Sequence, residues 1–257
     1  MFSRGRIVID PISGFCLKGR VDVKSAGCTC QHGSSQYLLN PPQGTFSSSL
    51  RLLPWTGFPM TSSNDRHSEY PIHPMFLDRW SPRAFTGEAM SEADLLTILE
   101  AAHWAPSGSN YQPWRFVYAL NTAPEWETFL GLLVESNQVW AKSASALVFL
   151  FSDTLSRRDD GSELRPFRSH SFDTGAAWAM LALQAMHSGF AAHAMGGVDF
   201  ERAIEVLGAP SGYRAEAAVA IGHHGDKSLL PPALQEREVP NQRKPLSAVT
   251  FSGGFKA

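Results

Sequence analysis

Residues 172–188 are apolar almost all the way round a helical wheel. Ala176, Ala177, Trp178, Met180, Leu181, Leu183 and Met186 leave no broad polar face. A helix of this kind has no side to turn to water, so it must be enclosed, in a core or at a subunit interface. It is shorter and more interrupted than the ~20 apolar residues a membrane span needs. The longest clean apolar run elsewhere, residues 146–151, suits a buried strand. The chain should therefore fold around this helix, with no membrane partner.

The flanking residues order the rest. Gly189 is placed to cap the helix, because glycine accepts the left-handed backbone common there. A short strand over 190–194 should follow, running into Met195-Gly196-Gly197. Asp199 can cap a further helix closing at Gly208, and residues 215–221 read as another strand. Upstream, Ser91 with Asp94 three residues later resembles an acidic capping box. Leu95, Ile98, Leu99 and Ala102 share one face of the helix it opens, and Pro106 ends that helix. Residues 114–120 read as a strand and 125–135 as a helix. From Leu230 the prolines at 231, 232, 240 and 245 predict an extended tail.

Residues 1–59 differ in kind. They hold four Arg and two Lys against Asp10 and Asp22, with serine clusters and no clear apolar period. Such a stretch cannot readily bury a core. It is read as a disordered or non-native N-terminal extension: a tail, an organelle-targeting peptide, or an upstream stretch not normally translated, with Met60 as an alternative start. Residues 60–257 would then form the folded domain. The three cysteines, Cys16, Cys28 and Cys30, all precede residue 60, so the domain needs no disulfide and suits a reducing, cytoplasmic setting. Cys28, Cys30 and His32 offer too few ligands for zinc. The net charge of -2 gives no bulk attraction to nucleic acid.

Three elements carry chemistry. In Arg79-Trp80-Ser81-Pro82-Arg83, two guanidiniums and a hydroxyl alternate along an extended segment, an arrangement that suits a phosphate. Taken alone, the segment is a weak signal and suits solvated surface arginines better. Residues 105–114, Ala-Pro-Ser-Gly-Ser-Asn-Tyr-Gln-Pro-Trp, join a helix end to a strand. Here Ser107, Asn110 and Gln112 can read the edge of a planar heterocycle, or simply close a turn. Gly196 and Gly197 permit close backbone approach to a flat ligand, or make a tight turn. Far downstream, Arg243-Lys244-Pro245 can return a cation to a phosphate. The polar stretch 152–170, with Arg157, Arg158, Arg165 and Arg168, is either a pocket wall or a solvated loop. His223-His224 reads as filler rather than catalytic machinery.

In this order, the elements resemble the FMN-dependent nitroreductase family over residues 73–250. The likeness implies an α+β fold, with a nitroreductase-like mixed central sheet flanked by helices, in an intertwined homodimer. It implies that Arg79, Ser81, Arg83 and Arg243 hold the FMN phosphate and ribityl chain. Pro106, Ser107, Asn110 and Gln112 would reach the flavin bound mainly by the other subunit. Met195, Gly196 and Gly197 would pass along the isoalloxazine. Many members carry an acidic residue, associated with placing nicotinamide or substrate, where Gly196 stands. The implied activity is ping-pong transfer of a hydride from NAD(P)H through the flavin to a nitroaromatic, quinone or enone. The chemistry rests with the flavin, with no catalytic side chain and no metal. The same residues also fit a flavin-storing or flavin-sensing protein, or a same-fold flavoenzyme with non-nitro chemistry.

Overall fold

The computed structural model describes residues 64–156 and 164–255. The expectations for residues 1–59, including the Cys28–His32 cluster, and those for Arg157 and Arg158 lie outside the described residues.

In chain order the elements are α1 (Met75–Asp78), α2 (Glu92–His103), β1 (Trp114–Leu120), α3 (Trp126–Leu130), α4 (Glu135–Ala141) and β2 (Ala146–Asp153). There follow β3 (Leu155–Ser156), β4 (Arg165–Pro166), α5 (His170–His187), β5 (Ala191–Met195), α6 (Phe200–Val206), β6 (Tyr213–Gly222) and α7 (Pro232–Gln235). The main sheet has the order β1-β2-β6-β5, and β3 and β4 form a small ribbon. Every pairing among the described strands is antiparallel, so within one chain the sheet has no parallel member.

All eight residues of β2 are buried, which is what a strand covered on both faces demands. Successive side chains point to opposite faces, and the core divides accordingly. Leu147, Phe149 and Phe151 pack with Trp126, Phe129, Trp140 and Ala203, beneath α3, α4 and α6. Ala146, Val148 and Leu150 pack with Leu95, Ile98, Leu99, Ala177 and Leu181, beneath α2 and α5. The result is an α+β sandwich of helices, sheet and helices.

The N-terminal cap of α2 forms as expected. Ser91 Oγ accepts from the Asp94 backbone N–H at 3.1 Å, and Leu95, Ile98, Leu99 and Ala102 are the buried stripe. Asp199 caps α6 through the Arg202 N–H at 3.1 Å. Gly189 follows α5 at φ +83°, in the left-handed region that glycine enters without a Cβ clash.

Two expectations are corrected. The helix predicted over 125–135 breaks into α3 and α4. Between them the backbone is taken by the segment after β5: Asp199 N–H donates to Leu132 O at 2.9 Å, and Val134 N–H to Gly197 O at 3.0 Å. The proline-rich tail is not wholly extended, because Pro231 and Pro232 sit at the N-cap and first turn of α7. There a missing N–H costs nothing. The described residues cover only part of the apolar helix, α5. Asp173, Thr174, Ala177, Leu181, Ala182 and Ala185 are buried, while Phe172, Gly175, Ala179 and Met180 lie exposed along one side.

Leu181 is fully buried where α5 meets the sheet. Leu181→Ala should lower unfolding free energy by about 2–5 kcal/mol, because the site cannot collapse onto the void. Chemical denaturation checks this, and a loss below about 1 kcal/mol would contradict the packing described.

Candidate active site

The Arg79–Arg83 segment leaves α1 extended, with Arg79 at φ -66° and ψ 120°. It is clamped at its far end. Gly225 N–H donates to Ala84 O at 2.8 Å, and Phe85 forms a bridge with His224. The strongest clamp comes from the tail. Glu238, whose side chain is 1% exposed, accepts through Oε1 from the backbone N–H groups of Arg83 (2.5 Å) and Ala84 (2.8 Å). Its Oε2 lies 3.8 Å from Arg83 Nη1. A buried carboxylate is tolerable only with such donors.

The segment borders a cavity of about 200 Å³ lined by Arg66, Arg79, Trp80, Ser81, Arg83, His193, Arg237, Val239, Asn241 and Arg243. Arg66 reaches it from the N-terminal side, donating from Nη1 to the carbonyls of Leu77 (3.0 Å) and Arg79 (2.8 Å). Arg79 Nη1 donates to Ser81 Oγ at 3.2 Å. Arg243 Nη1 makes only long contacts to its neighbouring carbonyls, Asn241 O at 3.3 Å and Gln242 O at 3.4 Å. Gln242 Nε2 ties this stretch to Asp65 O at 2.7 Å.

Electrostatically the cavity is one-sided. Burial first, then the charges of Arg66 and Arg243, push the Arg79 pKa down. Burial and Arg243 do the same to Arg66. Arg66 Nε is buried with no hydrogen-bond partner among the described residues. Planar donors crowded around one cavity fit an anion rich in oxygen, such as a phosphate monoester carrying about -1.5 to -2 charges. His193 joins them from β5. Its Nδ1 lies 3.0 Å from Pro82 O and its ring 4.8 Å from that of Trp140. Burial lowers its pKa, and the positive Arg83 adds to this against the opposing pull of Pro82 O, Glu238 and Ser81.

The structure thus gathers Arg79, Ser81, Arg83 and Arg243, as the sequence pattern suggested. It does not bring Pro106, Ser107, Asn110 and Gln112 to this cavity. Those four form a separate loop in which three non-glycine residues adopt left-handed backbone: Ser109 (φ 50°), Asn110 (φ 57°) and Gln112 (φ 50°). Ser107 Oγ accepts from Gln112 N–H at 3.0 Å, and Gln112 Nε2 donates to Asn110 O at 3.0 Å. Strain of this kind persists only where surrounding bonds over-determine it, and it concentrates at functional sites.

Met195, buried at 4% exposure, ends β5 two residues beyond His193. A Cβ at Gly196 would meet nothing within 4 Å, so open space lies above this backbone. A Cβ at Gly197 would come within 2.5 Å of Asn137 Nδ2 and 2.7 Å of Val134 Cγ2. Gly197 is therefore required for packing against α4, whereas Gly196 leaves room for a ligand.

This arrangement has known counterparts. Residues 77–125 and 119–223 match the model of the nitroreductase family. The chain belongs to the nitroreductase family. A solved structure described as an oxidoreductase containing FMN is 55% identical, covers 77% of this chain and 99% of its own, and superposes with a TM-score of 0.74. An uncharacterised 15.4 kDa protein of Mycolicibacterium smegmatis is 39% identical over 127 residues, 49% of this chain and 81% of that protein. The CLA biosynthesis enone reductase of Lactiplantibacillus plantarum is 27% identical over 188 residues, covering 60% of this chain and 86% of that enzyme.

Within this nitroreductase-family chain, sequence reasoning missed Arg66, Arg237, His193 and Glu238. None lies in a short motif. Arg66 precedes the Arg79 segment by 13 residues, and Arg237 and Glu238 sit in the proline-rich tail. Only the return of the segments holding Arg66 and Arg237–Arg243 to β5 unites them.

His193 yields a pH prediction. Its pKa in the folded chain is below the ordinary 6.5, so the unfolded chain takes up the proton more readily. Its contribution to stability is full above 6.5 and is lost as pH falls through the depressed value. The melting temperature should therefore drop on acidification below about pH 6.5, and His193→Asn should flatten that slope. Parallel slopes for the two proteins would contradict this.

Proposed function

We propose that this chain is an FMN-dependent oxidoreductase that takes reducing equivalents from NAD(P)H and delivers them to a small electron-poor acceptor. The observation that carries the proposal is the cavity beside β5, lined by Arg66, Arg79, Arg83, Arg237 and Arg243 together with the hydroxyl-bearing Ser81. When bound, FMN supplies the two-electron chemistry of a ping-pong cycle. The residues present fit it.

Arg66, Arg79, Ser81 and Arg243 bind the phosphate. Glu238 fixes the backbone at Arg83 and Ala84, which sets the angle at which Arg83 enters the site. Met195, Gly196 and Gly197 line the flat ring, Gly196 by leaving its face open. The Gly196 backbone also leaves space for nicotinamide or acceptor. Nitroaromatics, quinones and enones share the electron-poor π-system that such a site serves. The likeness to an enzyme named as an enone reductase favours including enones.

The 106–112 loop completes the site only if a second copy supplies it. The exposed side of α5, Phe172, Gly175, Ala179 and Met180, is an apolar stripe with small residues that let another backbone approach. It supports a homodimer, each flavin bounded by both subunits. No helix of the described residues is long and apolar enough to cross a membrane. We place the protein in the cytoplasm, with residues 60–257 as its FMN-binding domain.

The visible spectrum of the full-length protein tests this reading. Flavin bands should be present, bleach under anaerobic NADH or NADPH, and return on adding a quinone. Arg79→Ala with Arg243→Ala should weaken FMN retention by about 1.5–3 kcal/mol for each charge-assisted bond lost, with the fold intact. Flavin bands that no nicotinamide bleaches would instead support storage or sensing of flavin.

A further inference from the structure

The 106–112 loop is strained, yet most of its own hydrogen bonds are internal. What fixes it to the body of the protein is Asp173, in the first turn of α5. Asp173 is only 3% exposed. Its Oδ2 accepts from the Gly108 backbone N–H at 3.0 Å and from Ser169 Oγ at 3.1 Å. A buried carboxylate, expensive to desolvate, thus spends one oxygen on the loop and on the residue that precedes α5. The same stretch presses on the loop elsewhere. The Tyr111 and Phe167 rings meet edge-on at 4.7 Å. A Cβ at Gly108 would lie 3.1 Å from Ser169 Oγ and 3.5 Å from the Phe167 ring.

The loop is therefore gripped on one side by a charge-assisted bond and on the other by close packing. Its three left-handed residues lie immediately beyond the grip. Removing the grip lets Ser109, Asn110 and Gln112 relax towards ordinary backbone, because left-handed conformations of non-glycine residues are unfavourable unless the surroundings enforce them. Asn110 is exposed, so its direction is set by backbone geometry rather than by neighbours.

We propose that Asp173 is a positioning residue for flavin recognition: through the Gly108 N–H it holds the 106–112 loop in the geometry that reads the isoalloxazine edge. This rests on the flavin reading given above. It also links ring recognition to α5, the helix whose exposed side we assign to the subunit interface, so the loop and the interface move as one body.

The test measures affinity for FMN and for riboflavin, the same ring without its phosphate, in the wild-type protein and in variants. Asp173→Ala should weaken both ligands by the same factor, about tenfold or more, and shift the bound-flavin absorption bands. Asp173→Asn retains an oxygen that can accept both bonds and should restore most of the affinity. Arg79→Ala, in contrast, should weaken FMN selectively. A merely structural role would lower the melting temperature without this division between ring and phosphate.

Should Asp173→Ala fail to fold, Gly108→Ala gives the same readout, because its Cβ crowds Ser169 Oγ. The double variant Gly108→Ala with Ser169→Ala should recover part of the loss. Flavin affinity within about twofold of wild type in folded Asp173→Ala or in Gly108→Ala, or a loss confined to FMN, overturns the proposal. If the wild-type protein binds neither flavin, it is the functional reading itself that fails.

Discussion

Like-charge repulsion around one small cavity is the constraint on which the rest of this structure turns. Arg66, Arg79, Arg83, Arg237 and Arg243 share about 200 Å³, and burial first, with the neighbouring positive charges adding to it, depresses the pKa values of Arg66 and Arg79. Guanidiniums stay charged across the physiological range, so the repulsion cannot be relieved by losing protons. It is contained by backbone carbonyls, by Ser81, and by Glu238, the buried carboxylate that holds the backbone beneath Arg83. On the proposed reading the cavity is a preformed site for an oxyanion, whose binding would relieve the repulsion.

The fold exists to hold those charges still. A fully buried β2 fixes β6 through their shared register, and β6 fixes β5 at the edge of the sheet. His193, Met195 and Gly196 are thereby laid out along one strand end. The segments holding Asp65–Glu69 and Gln242–Leu246 then return to this edge, joined where Gln242 meets Asp65 and where the Leu246 N–H meets Glu69. At α5, the apolar helix anchors both core and loop: its buried side packs on the sheet, and Asp173 in its first turn holds the 106–112 segment.

Much of this was legible in the sequence because the signals were local. Ser91 with Asp94, the stripe from Leu95 to Ala102, the branched and aromatic run of β1, and Asp199 before α6 each declare an element within a few residues. The ten-residue loop at 105–114 declared the family. What was not legible depends on distant partners. The helix over 125–135 breaks because Gly197 and Asp199 claim its backbone, a contact across some sixty residues. The all-apolar character of α5 promised burial, but no residue pattern could tell a core from a subunit interface. Arg66, His193 and Glu238 joined the site only once the fold brought three remote stretches together. Nothing local to Asp173 signals its role, because its carboxylate holds a loop 65 residues upstream.

The central claim is that the arginine cavity beside β5 is the phosphate end of a flavin site. The most direct measurement is a crystal structure of the full-length protein with FMN. The account predicts the phosphate among Arg66, Arg79, Ser81 and Arg243, the ring against Met195, Gly196 and Gly197, and the partner subunit's 106–112 loop at the ring edge. FMN bound elsewhere, with this cavity holding no phosphate, would contradict it.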